Sequence, residues 1–282
     1  MPLPTFIIGG APKTGTTSLY RYLLEHPQVF LPRDAKEPHY FVESSAMPLA
    51  EYEALFVDVG GARAVGEAST WYLRDRVAPA RVRALIPDAR LIFVLRHPVE
   101  RARSHYWHRV AQDSRFGARP FGEWIRAGER DVACFVDHGL YADHLQRWLG
   151  HFPREQILAV LHEDLERDAP AVLRRICTHI GVDAAFEART DRRHNVTAYP
   201  RSMGLYRGLL RFYLPMERAL EGTALWRHTR RPRQFVRDLL YARGRPAPPV
   251  SPEDRAYLLA LYRPQVAWLE EYLGRDLSAW KT

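Results

Sequence analysis

Lysine is nearly missing from this basic chain. Of its 41 lysine and arginine residues only Lys13, Lys36 and Lys281 are lysine. Cysteine is scarcer: Cys134 and Cys177 stand far apart, which excludes a disulfide framework and any cysteine-spaced metal site. Two buried thiols in a reducing cytosol are expected, and the compartment expected is cytoplasmic. No apolar run is long enough to span a bilayer, and Met1-Pro2-Leu3-Pro4 leads straight into the first apolar stretch without a signal-peptide pattern. No repeat period appears, and nothing marks a clean domain boundary.

What is present is an ordinary globular composition. The 282 residues are 46% hydrophobic and 26% charged, enough for a substantial core in one large α/β domain or two small ones. A net charge of +8 and a pI near 9.6 suit an anionic ligand, acceptor or surface. Charge alone does not choose among nucleotide, polysaccharide, nucleic acid and membrane.

The informative stretch is Thr5-Phe6-Ile7-Ile8-Gly9-Gly10-Ala11-Pro12-Lys13-Thr14-Gly15-Thr16-Thr17-Ser18. An apolar run ends in paired glycines, a loop of small residues follows, and Ser18 to Leu24 reads as a helix. Glycines let backbone approach a ligand closely, and first-turn N–H groups lack intrahelical partners, so strand, loop and helix make an anion cradle. It is not a triphosphatase loop. Gly10 and Gly15 keep the Walker glycine spacing, but Thr16 stands where that motif places lysine. The lysine comes earlier, as Lys13. A chain that otherwise uses arginine and keeps lysine here calls for a compact point charge.

After a short extended piece at Pro27 to Pro32 comes Lys36-Glu37-Pro38-His39-Tyr40-Phe41. Proline biases Glu37 toward an extended backbone, in which Glu37 and His39 share a face. A lysine, a carboxylate and an imidazole together suit proton transfer, although a polar loop with solvated charges reads equally well. Residues 48–57 look helical. Residues 63–69 read as a core strand whose tip carries Glu67, Ser69 and Thr70 where open α/β sheets bind ligands, unless the two hydroxyls only cap a turn. A basic helix at 78–86 precedes Arg90 to Leu95, a strand apolar enough to be buried on both faces. Its end carries Arg96, where a triphosphatase usually places a magnesium-binding aspartate. A helix then starts at Pro98, with Ser104 two turns in. Helices at 139–149 and 168–180, the second ending at Gly181, flank a strand at 156–161. His162, Glu163 and Asp164 read as turn and helix-start residues rather than a metal site. The last helix runs from Ser251-Pro252 through Leu273-Gly274.

Two of these motifs, in this order, resemble the family of sulfotransferases that use 3′-phosphoadenosine 5′-phosphosulfate (PAPS). Gly10 through Thr17 resembles their 5′-phosphosulfate loop, and Leu95 through Tyr106 resembles their 3′-phosphate motif. Lys36 through Phe41 resembles the segment that carries the catalytic carboxylate in the heparan-sulfate branch. The resemblance covers most of the chain apart from about residues 205–248. It implies a P-loop-like α/β fold of three layers, with a central mainly parallel sheet flanked by helices, forming a single domain over residues 1–282. It implies PAPS as co-substrate, 3′-phosphoadenosine 5′-phosphate as product, and no required metal. The donor contacts it implies are Gly10, Pro12, Lys13, Thr14, Gly15, Thr16, Thr17, Ser18, Arg96, Ser104 and Arg201. Lys13, Glu37 and His39 are the implied catalytic residues, with Glu37 as general base and His39 as its rival. The implied acceptor is a hydroxyl or amine of a carbohydrate, lipid-linked glycan or secondary metabolite, and no nucleic-acid partner is expected.

There is one departure. Relatives acting on heparan-type sugars can carry lysine in the segment matching Glu67-Ala68-Ser69-Thr70, where this chain has Ala68. The segment at 205–248 is basic and amphipathic. It reads as helices with an arginine-rich solvated face, or as a peripheral membrane contact through residues 205–245. Two other classes fit the cradle alone: a P-loop kinase acting on a small metabolite, and a non-catalytic module that binds 3′-phosphoadenosine 5′-phosphate.

Overall fold

The computed structural model describes residues 3–113, 115–127, 130–190, 199–200, 202, 204, 206, 208, 211, 241–242 and 248–282. The chain divides into two compact units. One comprises Met1–Arg101, Asp137–Asn195 and Leu259–Thr282, and the other Ala102–Val136 and Val196–Leu258.

The first unit is built on a five-stranded sheet in the order β2-β3-β1-β4-β5, parallel at every pairing. The strands are β1 (Phe6–Gly10), β2 (Val29–Phe30), β3 (Ala64–Ala68), β4 (Arg90–Leu95) and β5 (Ile157–Leu161). Every residue of β1 and β3 is buried, as is β4 beyond Arg90, which is why β1 and β4 read as unbroken apolar runs rather than alternating ones, while β3 takes one carboxylate, Glu67, inside. The chain leaves β1 for one side of the sheet, returns through β3, then crosses to β4 and β5. The reversal falls at β1, so the carboxyl ends of β3, β1 and β4 border the crevice where such sheets bind ligands.

Helices α1 (Thr16–Leu23), α2 (Leu49–Glu53) and α3 (Ala78–Leu85) follow the early strands, and a single 3-10 turn at Ala54–Phe56 extends α2. Helix α4 (Pro98–Gln112) leaves the end of β4. Helices α5 (Arg115–Ala118), α6 (Phe121–Arg126) and α7 (Arg130–Asp137) come next. Helices α8 (Tyr141–Leu149), α9 (His162–Arg167) and α10 (Ala169–Ile180) follow, and the C-terminal helix spans Pro252–Leu273. One apolar layer joins Ile8, Leu19, Leu23, Ile92, Val94, Val160, Leu173 and Ile176, so β1, β4 and β5 are covered by α1 and α10. Fully burying such a side chain contributes about 1.5–3 kcal/mol. Phe93 packs against the buried Trp148 of α8 at 5.2 Å between ring centroids.

Local signals are honoured at the helix ends. Asp168 accepts the Ala171 N–H at 2.9 Å as the N-cap of α10, and Gly181 closes that helix at φ 76°. Gln265 of the C-terminal helix accepts the Ala142 N–H at 2.9 Å and holds Asp143 Oδ1 at 3.0 Å, satisfying the start of α8. His162–Asp164 open α9 as expected. Asp164 is bound by Arg275 (Nη2 to Oδ1, 2.9 Å) and by Arg167 at 2.6 Å. No cluster of metal-ligating residues occurs among the described residues.

Within the second unit, Tyr106, Phe116, Phe121 and Phe135 form an aromatic cluster with edge-to-face and tilted contacts. Strands β6 (Tyr199–Pro200) and β7 (Tyr241–Ala242) pair antiparallel. Arg126 bridges Asp254 at 2.5 Å and Glu253 at 3.1 Å. Most of the basic stretch expected at about 205–248 lies outside the described residues. No described helix is long and apolar enough to cross a membrane.

Candidate active site

The site begins where β1 ends. Gly15 stands at φ 92°, immediately before α1, in the left-handed region that a side chain disfavours. A Cβ there would sit 3.0 Å from His162 Nδ1 and 3.3 Å from Leu165 Cδ2. Thr14 is buried, and its hydroxyl donates to the Ala11 carbonyl at 2.6 Å, closing the loop on itself. The first helical bond runs from Leu19 N–H to Gly15 O at 3.1 Å, so the amides of Thr16, Thr17 and Ser18 precede the ladder. No side chain caps this end and no acid lies in its first turn. The positive end of α1 is therefore left for an outside anion. Pro12 and Thr16 are buried within the loop, and Gly10 ends β1.

Lys13 stands in the middle of that loop at φ 70°. Its ammonium is pushed down to about 8, first by burial and then by the neighbouring charges of Arg96 and Lys36, against a smaller opposing pull from Glu37. Three cations placed where they repel one another form a ready-made anion hole. Arg96 does more than cap β4. Its guanidinium donates to the Lys13 carbonyl at 3.2 Å, joining the β4 tip to the loop. Its own backbone is fixed by Tyr141, whose hydroxyl donates to the Arg96 carbonyl at 3.0 Å. The next residue is held as well: the His97 N–H donates to Glu163 Oε1 at 2.9 Å.

Beside the loop, Lys36, Glu37 and His39 converge. Lys36 Nζ lies 2.7 Å from Glu37 Oε1, and His39 Nε2 lies 3.3 Å from Glu37 Oε2. The Thr70 hydroxyl donates to Glu37 Oε2 at 2.8 Å. Burial raises the Glu37 carboxyl, but the hydrogen bond from His39, the charge and hydrogen bond of Lys36, and the Thr70 hydroxyl outweigh it and hold it at about 2. His39 Nδ1 is buried with no hydrogen-bond partner, and its ring leans on Trp71 with centroids 5.7 Å apart.

The extended backbone expected for Glu37 is not what forms. Glu37 and His39 take φ 66° and 53°, both left-handed. The bias exerted by Pro38 is overruled by contacts with the end of β3: the Glu37 N–H donates to Ala68 O at 2.9 Å, and the His39 N–H donates to Ser69 Oγ at 3.1 Å. Carboxylate and imidazole meet all the same, through a kinked loop rather than a shared strand face.

Thr70 turns out to hold the carboxylate rather than cap a turn. Glu67 is buried at 1% exposure and accepts the hydroxyls of Tyr52 (2.8 Å), Ser69 (2.9 Å) and Tyr72 (3.3 Å). Neither tyrosine was legible as part of a site; the only signal was the density of aromatics around the loop. Ser104 lies half-buried on α4, in the second unit, and Arg201 lies outside the described residues.

The arrangement therefore offers a cationic cradle for a phosphorylated ligand beside a carboxylate–imidazole pair. A match to the sulfotransferase domain spans residues 3–199. Mouse heparan sulfate glucosamine 3-O-sulfotransferase 3B1 is 35% identical over 186 residues, covering 64% of this chain and 46% of that protein. Human bifunctional heparan sulfate N-deacetylase/N-sulfotransferase 3 is 28% identical over 300 residues, covering 99% of this chain and 31% of that protein. The chain thus spans less than half the length of these curated relatives. A crystal structure of a sulfotransferase from Alicyclobacillus acidocaldarius superposes with a TM-score of 0.73 at 29% identity, covering 100% of both chains.

Proposed function

The chain belongs to the sulfotransferase domain family, and from that premise we propose that it moves a sulfuryl group from PAPS to a hydroxyl or amine of a glycan acceptor. The observation that carries this reading is the cation cluster of Lys13, Arg96 and Lys36 at the uncapped start of α1, with Glu37 alongside. That donor set fits a nucleotide bearing two separate phosphate groups. The amides of Thr14 to Thr17 and the hydroxyls of Thr16 and Thr17 hold the 5′-phosphosulfate, with Gly10, Pro12, Gly15 and Ser18 shaping the loop. Arg96 takes the 3′-phosphate, and Ser104 and Arg201 keep the roles that the family resemblance implies.

In the transfer, the acceptor oxygen or nitrogen bonds to sulfur as the bond from sulfur to the bridging phosphate oxygen breaks. The acceptor proton passes to Glu37, and 3′-phosphoadenosine 5′-phosphate leaves. Lys13 stabilises the charge that grows on the bridging oxygen, a contact of the kind whose loss costs about 10²–10³ in turnover. At rest Glu37 is a weak base because Lys36 and His39 hold its carboxylate. When Lys36 turns to the sulfuryl oxygens, the carboxylate loses a cation and its affinity for the acceptor proton rises. His39 orients the carboxylate and the acceptor. A glycan acceptor is supported by the named activities of the mouse and human relatives, although Ala68 leaves one contact position of the heparan-type branch empty of charge.

Calorimetry tests the donor half. The protein should bind 3′-phosphoadenosine 5′-phosphate in the presence of a chelator and prefer it strongly to AMP; equal affinity for the two would overturn the reading. Glu37→Gln should lower transfer by about 10²–10⁴-fold while nucleotide affinity holds. Retained turnover in that variant moves the base to His39.

A further inference from the structure

Among the carboxylates that the reaction proposed above leaves unused, Glu67 is the most deeply buried of the described residues, at 1% exposure. It lies inside the sheet, paired in register with Ile7, and three hydroxyls point at it. Two of those hydroxyls are also acceptors. Ser69 Oγ receives the His39 N–H at 3.1 Å, and Tyr72 OH receives the Phe41 N–H at 3.3 Å. A hydroxyl has a single proton. Because Ser69 and Tyr72 give theirs to Glu67, their lone pairs face the loop, and the carboxylate thereby sets the direction of both relays. The left-handed backbone at Glu37 and His39 persists only if its surroundings over-determine it. Here every second amide is held: Glu37 by Ala68 O, His39 by Ser69 and Phe41 by Tyr72, while Thr70 holds the Glu37 carboxylate itself.

We propose that Glu67 is a positioning residue: through the Ser69 and Tyr72 hydroxyls it locks the Lys36–Phe41 loop so that the Glu37 carboxylate and the His39 imidazole stand together. It touches neither donor nor acceptor. This inference builds on the proposed role of Glu37 but concerns the geometry of the resting enzyme. Glu67→Gln keeps an acceptor for Ser69 and Tyr72 if the amide turns its nitrogen toward Tyr52. Glu67→Leu removes the acceptor altogether, and Ser69→Ala cuts the relay to His39 alone.

The test follows the Glu37 carboxyl by carbon-detected NMR during an acid titration of the full chain, with no donor or acceptor present. Burial pushes the Glu67 carboxyl up to about 7, so through the Glu37 transition Glu67 is the neutral acid, which still offers an acceptor oxygen to Ser69 and Tyr72 when its own proton turns toward Tyr52. In Ser69→Ala and Glu67→Leu the Glu37 midpoint should climb from about 2 toward the ordinary 4.5, by about one unit or more as hydrogen-bonded neighbours are lost. Glu67→Gln should stay close to wild type. Transfer should fall by about tenfold or more in the first two variants, as a displaced base implies, with nucleotide affinity unchanged. A role in folding alone would lower the melting temperature and leave the Glu37 midpoint in place. A midpoint unmoved in Ser69→Ala overturns the proposal, and that variant decides the matter if Glu67→Leu does not fold. Should the wild type transfer no sulfuryl group, the titration still answers, so failure of this inference and failure of the proposed function are read separately.

Discussion

Nucleotide binding should carry a proton with it, and Lys13 is the reason. Its ammonium sits at about 8 in the free protein because burial and the charges of Arg96 and Lys36 oppose it. A bound phosphate group beside it cancels that repulsion and returns it toward the ordinary 10.5. The direction follows: the charged form binds the anion, so affinity is full below pH 8 and falls as pH rises through 8. Over the interval between the free and bound values the slope approaches a decade per pH unit, giving a total loss of up to about 300-fold. Near pH 9 roughly 0.8–0.9 proton should be taken up per nucleotide bound. The nucleotide adds nothing to this window, because phosphate second ionisations lie near 6. Calorimetry at pH 9 in buffers of differing ionisation enthalpy reads the uptake directly. Lys13→Arg, always charged, should abolish both the uptake and the pH dependence. Identical heats in all buffers for the wild type would refute the placement of Lys13 at the anion.

Two other consequences are local. Gly15→Ala puts a Cβ 3.0 Å from His162 Nδ1 at φ 92°, so it should destabilise the fold by about 1–2 kcal/mol and weaken nucleotide binding by tenfold or more, read by thermal melting and calorimetry. Asp164 is held below its ordinary value, first by its hydrogen bond from Arg275. A depressed folded value gives stability that is present above the unfolded value of about 4 and lost as pH falls through the folded one. Arg275→Leu should therefore flatten the acid limb of a stability-versus-pH curve and leave the limb above pH 6 parallel to wild type.

The sheet was legible because its strands are buried on both faces. Such strands read as apolar runs, so β1, β4 and β5 appear in the sequence within a residue or so of their ends, and all five strands turn out parallel. The phosphate loop was legible because glycine and proline mark it. Ser251 and Asp168 announce helix starts through short-range bonds that depend on neighbours alone. What escaped was set by distant partners. Pro38 argues for an extended Glu37, but amide bonds spanning thirty or more positions decide the loop's backbone. Tyr52 and Tyr72 look like ordinary core aromatics until Glu67 is seen between their hydroxyls. Arg96 reads as a phosphate ligand, and its bond to the Lys13 carbonyl, which ties the two motifs into one site, spans 83 residues. The short helices at 115–137 carry too few turns for a periodic signal.

Transfer itself is the decisive measurement. Wild-type protein should be incubated with donor labelled in its sulfuryl group, a chelator, and a panel of glycan, lipid-linked glycan and small hydroxylated acceptors, and the products weighed. A glycan should gain one labelled sulfo group, and Glu37→Gln should stop the gain. Donor that binds tightly yet leaves every acceptor unlabelled would contradict the proposed transfer.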